Sequence, residues 1–157
     1  MNVKIRLLNP NSVLPSKAHD DDFCYDCVAT SCEEIAPNIY KYGLGIAFEI
    51  DRGSENGYSA DWLPELSNVD LAIDVRPRSS IYKTGMVLSN SLGTIDFPYR
   101  GEVSAVFYHL YPNLPKYEVG DRVAQIKLGA AIPMDFEVVS DLSTTERGAS
   151  GYGSTGR

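Results

Sequence analysis

VDLAIDVRPRSS, residues 69–80, decides how this chain reads. Val69, Leu71, Ile73 and Val75 alternate with Asp70, Ala72 and Asp74. A period of two sends the two sets to opposite faces of an extended strand, so the stretch is a half-buried β-strand. Pro77 ends it, since proline has no N–H for a ladder, and RSSIYKTG beyond it has room for one short helix. Working outward, Val3, Ile5 and Leu7 alternate with Lys4 and Arg6 in the same way. Leu44–Ile50, Glu102–Leu110, Val123–Leu128 and Phe136–Val139 are further strand-like runs. Capped helical periodicity is nearly absent, and prolines and glycines punctuate the chain throughout. An all-β barrel or sandwich is the economical reading. Residues 51–68 (DRGSENGYSADWLPELSN), which carry the sole tryptophan, read as a long loop or insertion.

Composition bounds the function. A chain of 157 residues suits one domain, and its 43% hydrophobic and 22% charged residues are those of an ordinary globular protein. The net charge of −7 leaves no basic stripe to displace counterions from a nucleic-acid backbone, which argues against a non-specific nucleic-acid binder. A small anion held by local arginines stays open. The N-terminus MNVKIRLLNP lacks the apolar run of a signal peptide, and no stretch reaches the length of a membrane span, so a cytoplasmic location is expected. Three cysteines fit reduced thiols better than a disulfide framework. His19, Cys24, Cys27 and Cys32 are zinc-type ligands, but they crowd one fourteen-residue stretch instead of forming two separated pairs, so structural thiols are expected.

Polar clusters interrupt the apolar pattern. RPRSS (76–80) sets two arginines and two serines around a proline, and an arginine fork with serine hydroxyls matches phosphate oxygens. The same tripeptide also occurs on plain surfaces. NSLGTIDFPYRGE (90–102) holds Asp96 beside a hairpin tip at Phe97–Pro98, followed by Tyr99: either a general base on a rigid hairpin or an aspartate stabilising a turn. GDRVAQIKL (120–128) puts the amide of Gln125 in an otherwise apolar strand, where it needs partners. RGASGYGSTGR (147–157) has four glycines and three Ser/Thr in eleven residues, with Tyr152 as its one large apolar side chain. It is either a solvated tail or a flap that wraps phosphate and stacks a ring on something flat.

In order, PRSS, GTIDFPYRGE, GDRVAQIKL and RGASGYGSTG resemble motifs two to five of the trimeric deoxyuridine triphosphate nucleotidohydrolases, the dUTPases. FCYDCVA (23–29) is similar to motif one, usually Ala-Gly-Tyr/Leu-Asp-Leu-x-Ala. The resemblance runs from residue 23 to the C-terminus. It implies a distorted, jelly-roll-like β-barrel over residues 1–146 and a flap at 147–157 that orders on substrate. It also implies a homotrimer with active sites at the subunit interfaces, each drawing motifs from all three chains. The implied activity is hydrolysis of dUTP to dUMP and pyrophosphate by water attack on the α-phosphorus, which keeps uracil out of DNA and supplies dUMP for thymidylate synthesis.

Carried over residue by residue, Asp96 would deprotonate the attacking water, and Tyr99 would pack under the deoxyribose. Asn90 and the hairpin backbone would read the uracil edge. Arg78, Ser79 and Ser80 would grip the phosphates, with Gln125 near the α-phosphate, and Asp26 would hold the water shell of Mg²⁺. In the tail, Tyr152 would stack on uracil, while Arg147, Gly153, Ser154 and Thr155 would close on the γ-phosphate. This sequence departs from the family at Phe23-Cys24 and Cys27 in motif one, at Pro98 in place of an acid, and at Ser150 in place of a tail glycine. A dCTP deaminase shares much of the pattern but needs a glutamate about where Val106 stands. A catalytically silent nucleotide-sensing or protein-binding relative fits less well, because Asp96, Arg78, Ser79 and Gln125 are all retained.

Overall fold

A computed structural model describes residues 2–51 and 69–150. The alternating stretch that opens the reading becomes β6 (Asp70–Pro77), the centre of a four-stranded sheet. Around it in chain order stand β1 (Asn2–Leu7), β2 (Tyr25–Val28), β3 (Ser31–Ala36), β4 (Ile39–Gly43) and β5 (Ile46–Asp51) before it. After it come β7 (Met86–Leu88), β8 (Gly93–Asp96), β9 (Ser104–His109) and β10 (Arg122–Ala131). A 3₁₀ turn over Ser79–Lys83 is the short helix expected after Pro77, with Arg78 at its start. Of the expected 51–68 insertion, Asp51 ends β5 and residues 52–68 lie outside the described residues.

The strands form a two-stranded sheet, β1-β5, and two four-stranded sheets, β2-β10-β6-β8 and β3-β4-β9-β7, with all pairs antiparallel. The fold is thus all-β as expected. Among the described residues the ladders do not run on into one closed barrel; a backbone bond links two of the sheets instead. Val103, just before β9, donates to the carbonyl of Ile46 in β5 (2.8 Å), whereas Thr30 to Gly43 (2.8 Å) and Leu44 to Val103 (3.0 Å) lengthen the β3-β4 and β4-β9 ladders.

The inner faces meet in one core. Leu71, Ile73 and Val75 of β6 are all buried, as are Phe48 and Ile50 of β5 and Val123, Ala124 and Ile126 of β10. At its centre the rings of Tyr42, Phe107 and Tyr117 meet edge to face, with centroids 5.6–6.3 Å apart. The Tyr42 hydroxyl donates to the Tyr117 carbonyl at 2.8 Å, so even the polar end of this buried ring is satisfied. Each such side chain contributes roughly 1.5–3 kcal/mol of burial. Among the described residues no helix is long and apolar enough to cross a membrane.

Two differences from the sequence reading stand out. The hairpin β3-β4 escapes it: SCEEIAPNIYKYG carries adjacent glutamates and a proline, and the turn works because Asn38 takes a left-handed conformation (φ 61°). Conversely, Phe136–Val139 is not a strand. Phe136 and Val138 are 86% and 99% exposed, and among the described residues no strand pairs with the segment. Alternation specifies a face to bury but supplies no neighbour to bury it against.

Candidate active site

The outer face of the β2-β10-β6-β8 sheet carries the chemistry, and its register dictates where. Because side chains alternate, Ala72, Asp74 and Arg76 of β6 point away from the core that Leu71, Ile73 and Val75 fill. Pairing then lays out three rows across the sheet. Asp26, Gln125 and Arg76 form the first, Lys127, Asp74 and Thr94 the second, and Gly129, Ala72 and Asp96 the third.

The first row gathers an arginine-rich cluster around Asp26. Asp26 lies on β2 and Arg78 follows β6. Arg78 donates from Nε to Asp26 Oδ1 at 2.7 Å and from Nη2 to Oδ2 at 3.0 Å, a bidentate pair. Arg122 adds a bond from Nη1 to Asp26 Oδ2 at 3.1 Å. Gln125 donates to the Pro77 carbonyl (2.9 Å), which answers how its amide is satisfied and fixes it beside the turn. Arg78 Nη1 also reaches the Ser80 hydroxyl at 3.3 Å. A cleft of about 270 Å³ is lined here by Asp22, Cys24, Asp26, Arg78, Ser79 and Gln125. Sequence reasoning missed Arg122. Its signal is weak, a cation beside Asp121, and a register shift between Arg122 and Ala124 is what accompanies its turn toward Asp26.

The third row leads into the hairpin. Asp96 ends β8 and is exposed; Tyr99 N–H donates to its carbonyl at 3.0 Å, closing the turn. Tyr99 donates from its hydroxyl to the Glu102 carbonyl (3.0 Å), and Arg100 Nη1 donates to the carbonyls of Phe97 (2.6 Å) and Tyr99 (3.0 Å). Glu102 Oε1 accepts the Gly45 N–H at 2.8 Å, which clamps the hairpin to the start of β5. The Asn90 amide sits beside Gly93, where an added Cβ would lie 3.2 Å from its Nδ2. A larger cleft, about 630 Å³, is lined by Asp74, Thr94, Asp96, Phe97, Lys127 and Gly129, among others.

Within one chain these two ends do not meet. Asp96 stands opposite Ala72 and Gln125 opposite Arg76, four residues further along β6. That is about 13 Å at ~3.3 Å per residue. Arg147 donates from Nε to the Ser150 carbonyl at 3.0 Å. Tyr152, Gly153, Ser154 and Thr155 lie outside the described residues. Of the cysteines, Cys27 is buried in the core while Cys32 is exposed on a different sheet. Burial, with the Asp26 carboxylate beside it, pushes the Cys27 thiol up to about 12, so it is an inert structural thiol. Among the described residues no three His, Cys, Asp or Glu side chains gather to hold a metal directly. Val106 of β9 pairs with Lys41 and brings no carboxylate to the place where a deaminase needs one.

Comparison with known proteins decides the family. The model of the dUTPase family matches residues 45–156. This chain belongs to the dUTPase family. Among its dUTPase relatives, the deoxyuridine 5′-triphosphate nucleotidohydrolase of Picosynechococcus sp. is 32% identical over 99% of both chains. That of Corynebacterium glutamicum is 36% identical over 99% of this chain and 95% of its own. Solved dUTPases share the fold at lower identity. The dUTPase of Staphylococcus bacteriophage 80alpha with dUpNHpp superposes with a TM-score of 0.74 at 19% identity, covering 99% of each chain. A mutant dUTPase of phage phi11 of S. aureus, described as coordinating a structural Mg(II) ion, gives 0.66 at 17% identity over 92% of this chain and all of its own.

Proposed function

We propose that this chain hydrolyses dUTP to dUMP and pyrophosphate as a homotrimer, with each active site assembled from two or more chains. The observation that carries the reading is the division of the dUTPase motifs between two clefts on one sheet face. Asp96 and Tyr99 sit at one end, and Asp26, Arg78, Ser79 and Gln125 at the other. Another copy of the chain would bring the complement to each half, so that neither cleft works alone. The exposed Ile132, Met134, Phe136 and Val138 beyond β10 give such an assembly apolar surface to bury.

In this reading Asp96 accepts a proton from a water whose oxygen attacks the α-phosphorus. The bond from that phosphorus to the bridging oxygen breaks, and pyrophosphate leaves. Such chemistry needs positioning and charge neutralisation more than covalent help. Arg78 presents a fork matched to phosphate, so it must exchange Asp26 for substrate oxygens on binding. Ser79, Ser80 and Gln125 complete the phosphate end, while Tyr99 and Asn90 shape the sugar and base end. Tyr152 would stack on the base, and Arg147, Gly153, Ser154 and Thr155 would follow it onto the γ-phosphate.

The donors at the phosphate end fit Mg²⁺. Asp22 and Asp26 offer hard carboxylate oxygens in the same cleft, suited to a cation that keeps its waters and is carried by the triphosphate. When bound, the ion would neutralise triphosphate charge. The deciding experiment is pyrophosphate release with Mg²⁺ from dUTP, dTTP, dCTP and UTP, alongside Asp96→Asn. Turnover of dUTP alone, lost in the variant, is expected. Ammonia from dCTP, or silence on all four, would overturn the reading.

A further inference from the structure

The middle row of the sheet carries charges that the proposed chemistry does not use. Asp74 is 9% exposed, and Lys127 Nζ bonds its Oδ2 at 2.7 Å, with side chains 13% and 17% exposed. Lys127 Nζ also donates to the Leu128 carbonyl at 3.3 Å, and Arg76 Nη2 lies 3.5 Å from Asp74 Oδ2. Burying an aspartate and a lysine is costly unless they are paired, so the pair exists as a unit.

Its position relative to Asp96 is set by register. Asp74 stands opposite Thr94, and Asp96 is two residues further along β8 on the same face. Such diagonal neighbours lie about 7–8 Å apart. The carboxylate of Asp74 also leans toward the row of Asp96: a Cβ on Gly129 would fall 3.1 and 3.2 Å from its two oxygens. Gly129 and Ala72, the other members of that row, have almost no side chain. Nothing bulky therefore separates Asp74 from Asp96 across the cleft they share.

We infer that Asp74 and Lys127 form a charge-balanced pair coupled across the cleft to Asp96, which makes Lys127 a positioning residue for the water-activating base; this rests on the role proposed above for Asp96. Alone, the Asp74 carboxylate would repel the charge on Asp96. Paired with Lys127, it presents little net charge to the cleft. The other charges facing Asp96 are Asp70 of β6, exposed at the cleft rim, and Arg100 of the hairpin, tied to the carbonyls of Phe97 and Tyr99. Arg76 stands behind Asp74, and Glu102 is bound to the Gly45 N–H. Arg76 is the longer of the two cationic contacts to Asp74, at 3.5 Å against 2.7 Å, so it offsets only part of the charge once Lys127 is gone.

The test is the pH profile of kcat/KM for dUTP. Lys127→Met uncovers most of the Asp74 charge, so the acid limb moves to higher pH by roughly half a unit, from Coulomb's law at ~7–8 Å beside an exposed carboxylate. Asp74→Asn moves it the other way. The double variant returns it close to the wild-type position, and Lys127→Arg leaves it in place. An unmoved limb in an assembled Lys127→Met, or a double variant no closer to wild type than the single one, overturns the inference. If Lys127→Met does not fold, Asp74→Asn reads the same coupling with opposite sign. Carboxyl ¹³C titration of Asp96 by NMR follows the same shift without turnover. A wild-type chain silent on dUTP would therefore remove the enzymatic reading, while the titration still decides the coupling.

Discussion

Replacing Asp26 by asparagine tests the phosphate end by removing one charge while keeping the shape. Asp26 holds Arg78 by bonds of 2.7 and 3.0 Å, and the two side chains are only 13% and 24% exposed. A charge-assisted bond in such a setting is worth roughly 1.5–3 kcal/mol net. The third bond, from Arg122, counts for less than about 1 kcal/mol, because that side chain is 53% exposed and solvent screens it. Asparagine retains one acceptor oxygen but leaves the Arg78 cation half-buried without its counter-charge. The expected cost is about 2–3 kcal/mol. For a chain of this size that lowers Tm by roughly 4–12 °C. Far-UV circular dichroism melts at equal protein concentration measure it, since assembly would make Tm depend on concentration. Arg78→Met and the double variant complete a cycle whose coupling energy exceeds about 1 kcal/mol. Because the pair is mostly buried, the loss persists in high salt. A Tm within about 1 °C of wild type would refute the reasoning, since even a 1 kcal/mol loss moves it further.

Asp96→Asn lowers kcat on dUTP by about 10²–10⁴-fold while the melting curve stays put, because Asp96 is exposed and its side chain is not part of the core; steady-state kinetics and a melt together check both halves. Cys27 is protonated in the fold up to about 12, whereas a thiol in the unfolded chain ionises near 9.0. The unfolded state therefore loses its proton first, and stability declines as pH climbs from about 9 toward 12. Melts over that window show the slope, and Cys27→Ala lessens it, the remainder coming from Tyr42 and Tyr117, whose hydroxyls burial also holds protonated; equal slopes in both proteins would contradict the burial argument. Tyr42→Phe deletes the hydroxyl that donates to the Tyr117 carbonyl and costs about 1–2 kcal/mol, read as a lower urea midpoint with an unchanged m-value.

The parts of the fold that were legible are those where local pattern and tertiary role coincide. β6 alternates strictly and buries the face its alternation names, while β10 buries Val123 and Ala124 in succession at its register shift before Ile126 resumes the pattern; β1 alternates too, yet only its Ile5 packs on the core, and Val3 and Leu7 stay exposed. The β3-β4 hairpin was hidden because Glu33 and Glu34 sit on an exposed strand with little apolar signal, and a left-handed Asn38 leaves no unique mark in sequence. Phe136–Val139 misled for the opposite reason, a strand pattern with no partner strand among the described residues. At the site, Asp96, Arg78 and Gln125 were readable from their motifs. Arg122 and the Asp74–Lys127 pair were not, because their roles depend on which residues the register sets opposite one another, and register is a property of the pairing, not of either strand alone.

The spacing of the two clefts on one rigid sheet carries a genetic consequence. Asp96 and Arg78 of a single chain serve different active sites under the proposed assembly, so damage to each falls on a different site. Chains lacking Asp96 and chains lacking Arg78, each inert alone, would rescue one another when unfolded together and refolded as a mixture. With random reassembly of equal amounts, roughly a quarter of the sites would receive an intact half from each kind of chain. An allele null in isolation would then be partly silent in the presence of another, and the pair of alleles would map which cleft of one copy faces which cleft of the next.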